Sequence, residues 1–165
     1  KAHKIKAGLI AEADRGEITE IQMFEKLAEM TGKKSQDVLE EWLDLAKIDF
    51  QVLRLIESYR SQYQVVMLSN APASFLRSIL AREHLETYFD YIMISSEEKV
   101  AKPDERIYLR MLERMDVQPK HALMIDDNPN NLIGAELVGI KGVFFENAKN
   151  FEVEFPNLLR DIFQL

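Results

Sequence analysis

The chain has no cysteine. That excludes a disulfide framework and any thiolate metal site. It fits a reducing compartment, and a cytoplasmic location is expected. No apolar run approaches the roughly 18 residues of a membrane span, and the first residues show no signal peptide. Basic residues are outnumbered, 21 Lys and Arg against 28 Asp and Glu, for a net charge of -7. A nucleic-acid binder usually carries a basic stripe, so neither nucleic acid nor membrane is expected as a partner. With only 6 glycines and 5 prolines in 165 residues, there is no low-complexity linker, and no internal repeat is seen. What is present is 47% hydrophobic and 30% charged residues. That suits one domain, or a domain with a small insertion, with a proper core and a solvated surface.

The chain has two textures. Residues 1 to about 62 read as helix. Ile5, Leu9 and Ala13 share one face, and Gly16 ends that segment. Thr19 with Gln22 forms a capping box ahead of Ile21, Phe24 and Leu27, and Gly32 is a stop signal. Ser35 is placed to cap a third helix with Val38, Trp42 and Leu45 on its apolar face. Val52, Ile56 and Tyr59 mark a fourth. From residue 63 the period changes. "YQVVMLSN", "YIMISS", "HALMIDD" and "KGVFF" are strand candidates. Between and after them lie the helices "ASFLRSILAREHL", "ERIYLRMLERM", "NLIGAELVG" and "PNLLRDIF", the last with Pro156 at its start. Unbroken Val, Ile, Met and Leu strands separated by helices predict a doubly wound parallel α/β sheet.

In such sheets ligands bind at the carboxyl ends of the strands. Those ends here carry Ser69 and Asn70; then Ser95 and Ser96, followed by "EEKVAKPDE" with Lys99 and Lys102; then Asp126 and Asp127 with Asn128, Asn130 and Asn131; then Glu146 and Asn147. Each group has a bland reading. Ser and Asn form turns, "KP" is a common loop pair, and acids before a helix act as caps. The run Glu97, Glu98, Lys99 reads as a solvated loop. Taken together, three such signals fall at three successive strand ends. Two adjacent carboxylates repel unless a cation compensates, and Mg²⁺ takes one or two carboxylates plus waters and substrate phosphate. Ser69 and Asn70 can donate to a phosphate oxygen, and a lysine adds positive charge. This set suits a phosphoryl group beside a hard metal.

The segments "VVMLSNA", "KVAKPDERIY" and "HALMIDDNPNNLIGAELVGIKGVFF" resemble motifs II, III and IV of the haloacid dehalogenase (HAD) superfamily, over residues 50 to 150. The helical stretch before them resembles that family's helical cap. The resemblance implies a Rossmann-like core over residues 51–165, a helical cap over residues 1–50, and a Mg²⁺-dependent phosphatase in the capped, phosphatase-like subfamily. It implies that Ser69 binds the transferring phosphoryl group with the Asn70 backbone beside it. Lys102 neutralises the nucleophile and the phosphate. Asp127 is the direct Mg²⁺ ligand, Asp126 a second or water-mediated ligand, and Asn131 supports the metal shell. The implied substrate is a small phosphorylated metabolite, hydrolysed through an aspartyl-phosphate.

The family's first motif, a strand ending in Asp-x-Asp whose first Asp is the nucleophile, has no counterpart here. The chain opens on "KAHKIKAGLIAEADRG", without Met and already in helical rhythm. The expectation is therefore that the true N-terminus lies upstream and that the first core strand is missing. The chain alone should then be inactive, and it would pair with a separate N-terminal segment or as a homodimer. Alternatives stay open: a metal-independent 2-haloacid dehalogenase, a phosphomutase, or a non-catalytic binding module. A bacterial receiver domain uses similar parts, but in a different order.

Overall fold

The computed structural model describes residues 2–163, without the side chains of residues 2, 3, 149, 150, 154 and 161–163. The described chain forms two compact units. The first is Lys1–Asp49 with Arg60–Ala101, and the second is Phe50–Tyr59 with Lys102–Leu165. Each combines helices with a parallel strand pair, and the fold class is α/β. None of the described helices is long and apolar enough to cross a membrane.

The first unit begins with α1 (Ala2–Asp14), α2 (Glu20–Thr31) and α3 (Ser35–Leu45). Leu9 and Ala13 are buried, whereas Ile5 is exposed. The Thr19 capping box is formed: Gln22 N–H donates to Thr19 Oγ1 (3.2 Å), and Thr19 N–H donates to Gln22 Oε1 (2.8 Å). Gly32 closes α2 at φ 69°. Ser35 does not cap α3. It is the first helical residue, Lys34 holds the cap position, and no side chain caps there. Leu9, Met23, Phe24, Leu27 and Val38 form a buried cluster. Onto it pack Trp42 and Phe75, with the Phe24 and Trp42 rings edge-to-face at 5.4 Å. Such ring pairs contribute roughly 1 kcal/mol beyond area burial. Ile21 and Leu45, expected on the apolar faces, are exposed.

The same unit continues with β1 (Val66–Ser69), α5 (Ala73–Arg82), β2 (Tyr91–Ile94) and α6 (Ser95–Glu98). β1 and β2 pair in parallel, with Ser69 opposite Ile94. Asp90 ties their starts together. It accepts from Val65 N–H at 2.7 Å and from Arg60 Nη2 at 3.0 Å, and these hydrogen bonds hold its carboxyl below the usual range. Glu97 and Lys99 are exposed, as expected of a solvated stretch, but the stretch is not a loop. It belongs to a helical turn closed by Lys99 at φ 57°. Lys99 Nζ donates to the Gly16 carbonyl at 3.1 Å, and Glu97 accepts from Arg77 at 2.7 Å. Long-range contacts order the segment, and its local composition does not reveal them.

The second unit comprises α4 (Phe50–Tyr59), α7 (Glu105–Met115), β3 (Leu123–Asp126), α8 (Pro129–Leu137), β4 (Lys141–Phe144) and α9 (Ala148–Phe163). Asp104 caps α7, accepting from Arg106 N–H. The Arg106 guanidinium and that N–H hold the Asp104 carboxyl down to about 2. Ile107, Tyr108 and Leu112 are buried, with Tyr108 and Leu112 one helical turn apart. β3 and β4 pair in parallel from Leu123↔Lys141 to Asp126↔Phe144. The last helix does not start at Pro156 but at Ala148, with Pro156 inside it. An interior proline costs about 3 kcal/mol. Phe151, Phe155 and Leu159, four apart, carry the helix across it. Phe155 stacks on Phe151 at 4.3 Å and meets Tyr59 edge-on at 5.2 Å, while Pro156 stays exposed.

Candidate functional site

Asp126 is the last residue of β3, and Asp127 follows it in the bend that leads to α8. Asp126 is buried, whereas Asp127 is exposed. Every oxygen of Asp126 is engaged. Oδ1 accepts from Asn128 N–H at 2.8 Å and from Asn131 Nδ2 at 3.0 Å. Oδ2 accepts from Lys102 Nζ at 2.6 Å. The Lys102 and Asp126 side chains are only 9% and 6% exposed. Burial pushes the Asp126 carboxyl up. The Lys102 and Asn128 hydrogen bonds, the ammonium charge and the Asn131 amide outweigh burial, so it ionises below the usual range.

Local sequence explains these placements. Asn128 caps α8, its side chain accepting from Asn130 N–H, with Pro129 at the first helical position. That cap turns the chain so that Asn131, two residues past the proline, faces back to Asp126. Lys102 precedes Pro103 in the loop leading to α7. Gly134, one turn along α8, lies against that loop; a Cβ there would meet the Pro103 carbonyl oxygen at 2.3 Å. Tyr108, fully buried on α7, donates its hydroxyl to the Asn131 carbonyl at 2.7 Å. Burial and then the Asp126 charge push its ionisation well above the usual phenol range.

Lys102, Asp126 and Asn131, all expected from sequence, thus form one buried cluster in the second unit, with Asp127 next to it at the surface. Ser69 and Asn70 stand at the end of β1 in the first unit, both half-buried. Beyond them, Ala71 N–H donates to the fully buried Ser95 Oγ at 3.1 Å, so the Ser95 hydroxyl shapes the turn after β1. The sequence does not single out Tyr108. Its spacing marks it only as part of the buried face of α7, and its hydroxyl partner is 23 residues away.

Among the described residues no group of three His, Asp or Glu side chains is arranged to hold a metal. The donor set is compatible with Mg²⁺ nonetheless. That ion needs one or two carboxylates and takes its other ligands from water and phosphate, and the Asp126–Asp127 pair offers oxygen donors only.

A family model described as haloacid dehalogenase-like hydrolase matches residues 5–139. A glyceraldehyde 3-phosphate phosphatase of Pyrococcus furiosus is 34% identical over 76 residues, 46% of this chain; the matched stretch is about a third (32%) of that relative's length. A D-ribitol-5-phosphate phosphatase of Bacteroides thetaiotaomicron is 25% identical over 162 residues, covering 92% of this chain and 78% of the relative. The crystal structure of a HAD family enzyme of Bacteroides thetaiotaomicron superposes with a TM-score of 0.81 at 25% identity, over 90% of this chain and 78% of that one. The same enzyme has been crystallised with magnesium and inorganic phosphate, and that form superposes with a TM-score of 0.75 at 25% identity, over 84% and 74% of the chains.

Proposed function

The chain belongs to the haloacid dehalogenase-like hydrolases, and from that premise we propose that it serves a Mg²⁺-dependent phosphatase acting on a small phosphorylated metabolite. The buried Lys102–Asp126 pair carries this reading. A buried ion pair contributes little net stability, because desolvation offsets its attraction. A lysine and a carboxylate kept dry at a strand end are better explained by chemistry than by folding. The relatives and the magnesium- and phosphate-bound neighbour support the same direction.

In this proposal Asp126 and Asn131 keep the Lys102 ammonium fixed and dry, where its charge acts most strongly on phosphoryl oxygens. Ser69 donates its hydroxyl to the transferring group, with the Asn70 backbone beside it. Asp127 would hold Mg²⁺, with Asp126 as a second or water-mediated ligand, and the ion would neutralise phosphoryl charge. The nucleophilic aspartate of an aspartyl-phosphate route is assigned to residues outside these 165, since no Asp-x-Asp occurs among them. Residues 1–50 are assigned to a helical cap that selects the substrate.

The test is phosphate release from a panel of small phosphate esters by the protein in the form its cell makes, with and without chelator. Release that stops on chelation and returns with Mg²⁺ is expected. Halide release from 2-haloacids that survives chelation would replace this reading with dehalogenation.

A further inference from the structure

Tyr108 is 0% exposed, and its hydroxyl is spent on a single carbonyl, that of Asn131. That carbonyl lies in the first turn of α8, and the same residue's amide donates to Asp126. Asp126 in turn accepts from Lys102. One line of buried contacts therefore runs from Tyr108 to Asn131, from Asn131 to Asp126, and from Asp126 to Lys102. A second contact holds the same helix. The α8 backbone at Gly134 lies against Pro103, the residue after Lys102. α8 is thus pinned at two points to the α7 segment that carries Lys102. A phenylalanine would fill the same space without a hydroxyl to desolvate, so the hydroxyl's value lies in where it points.

We propose that Tyr108 is a positioning residue. Its hydroxyl fixes the first turn of α8, and so the direction from which Asn131 and Lys102 hold Asp126. The link to Mg²⁺ rests on the phosphatase reading; the link to Asn131 does not.

The experiment compares Tyr108→Phe with Ile107→Val, a mild core truncation of a fully buried neighbour on α7. Two readouts are taken on the protein as its cell makes it: hydrogen exchange of the Asn131 side-chain amide without metal, and binding of Mg²⁺ alone by titration calorimetry. Removing a group that orients metal-site residues typically costs about 10–100-fold in metal affinity. Tyr108→Phe is therefore expected to speed Asn131 amide exchange and weaken Mg²⁺ binding, each by about tenfold or more, while Ile107→Val lowers the melting temperature and leaves both unchanged. Asn131 exchange unchanged in Tyr108→Phe, or altered equally by Ile107→Val, overturns the inference. Faster exchange in a protein that, as its cell makes it, binds no Mg²⁺ supports the positioning role and counts against the phosphatase reading instead.

Discussion

Lys102 Nζ and Asp126 Oδ2 meet at 2.6 Å with both side chains almost wholly buried, 9% and 6% exposed. Six other ion pairs, such as Arg60–Asp90 and Arg77–Glu97, join side chains that are at least 34% exposed. Exposed pairs contribute about 0–1 kcal/mol. Removing one partner of a buried pair strands the other charge.

Lys102→Met should accordingly cost about 3–5 kcal/mol. The double change Lys102→Met with Asp126→Leu should cost less than Lys102→Met alone, because no charge is left unpaired. Urea midpoints of the two variants check this. A double variant as unstable as Lys102→Met, or more so, would mean that the pair is a stabilising device.

Asp14 gives the clearest pH signature. One of its oxygens is buried with no hydrogen-bond partner. It also lies in the last turn of α1, where the helix dipole disfavours a negative charge. Desolvation raises its carboxyl from 3.8 to about 6, against the opposing Arg15 charge. The folded state thus binds the proton more tightly than the unfolded chain. The stability this group contributes is fully present below about pH 4 and is lost as pH rises through about 6. Asp14→Asn should flatten that part of the stability–pH profile. At pH 7.5 it should stabilise the protein by about 1–2 kcal/mol, after allowance for the part of the side chain that solvent reaches. Urea melts between pH 4 and 8 decide; an Asp14→Asn profile parallel to wild type would remove the burial explanation.

Two glycines should respond with opposite signs. A Cβ at Gly134 would clash with the Pro103 carbonyl, whereas nothing lies within 4 Å of one at Gly8, inside α1. Gly134→Ala should destabilise by about 1–3 kcal/mol through overpacking. Gly8→Ala should stabilise by up to about 1 kcal/mol through helix propensity. Thermal melts of the two proteins should move in opposite directions.

These expectations build on elements that differ in how well local sequence announced them. α7 runs from Glu105 to Met115, the stretch its sequence predicts as helix. The Thr19–Gln22 box is equally local and equally legible. The sequence marks Ser95 as a strand end and Glu97–Lys99 as a solvated loop. Their order comes from Ala71, Arg77 and Gly16, 20 to 83 positions away, which no window spans. At Pro156 a helix-start rule met a four-residue aromatic spacing, and packing prevailed. At the site, the sequence shows two adjacent acids where β3 gives way to a bend, but not which of them is buried. Lys102, 24 positions away, settles it by pairing with Asp126. Tyr108 stayed hidden because a buried aromatic on a helix looks the same whether or not its hydroxyl is aimed.

The most direct test of the account is Asp127→Ala in the protein as its cell makes it, assayed for Mg²⁺-dependent hydrolysis of a phosphate ester. Asp127 is exposed, so the melting temperature should hold within a degree or two, a surface change being about ±0.5 kcal/mol. Activity should fall by at least about 10²-fold, the usual loss of one transition-state charge stabiliser. Hydrolysis that persists at wild-type rate with wild-type Mg²⁺ dependence would contradict the assignment of this strand end to a metal and a phosphoryl group.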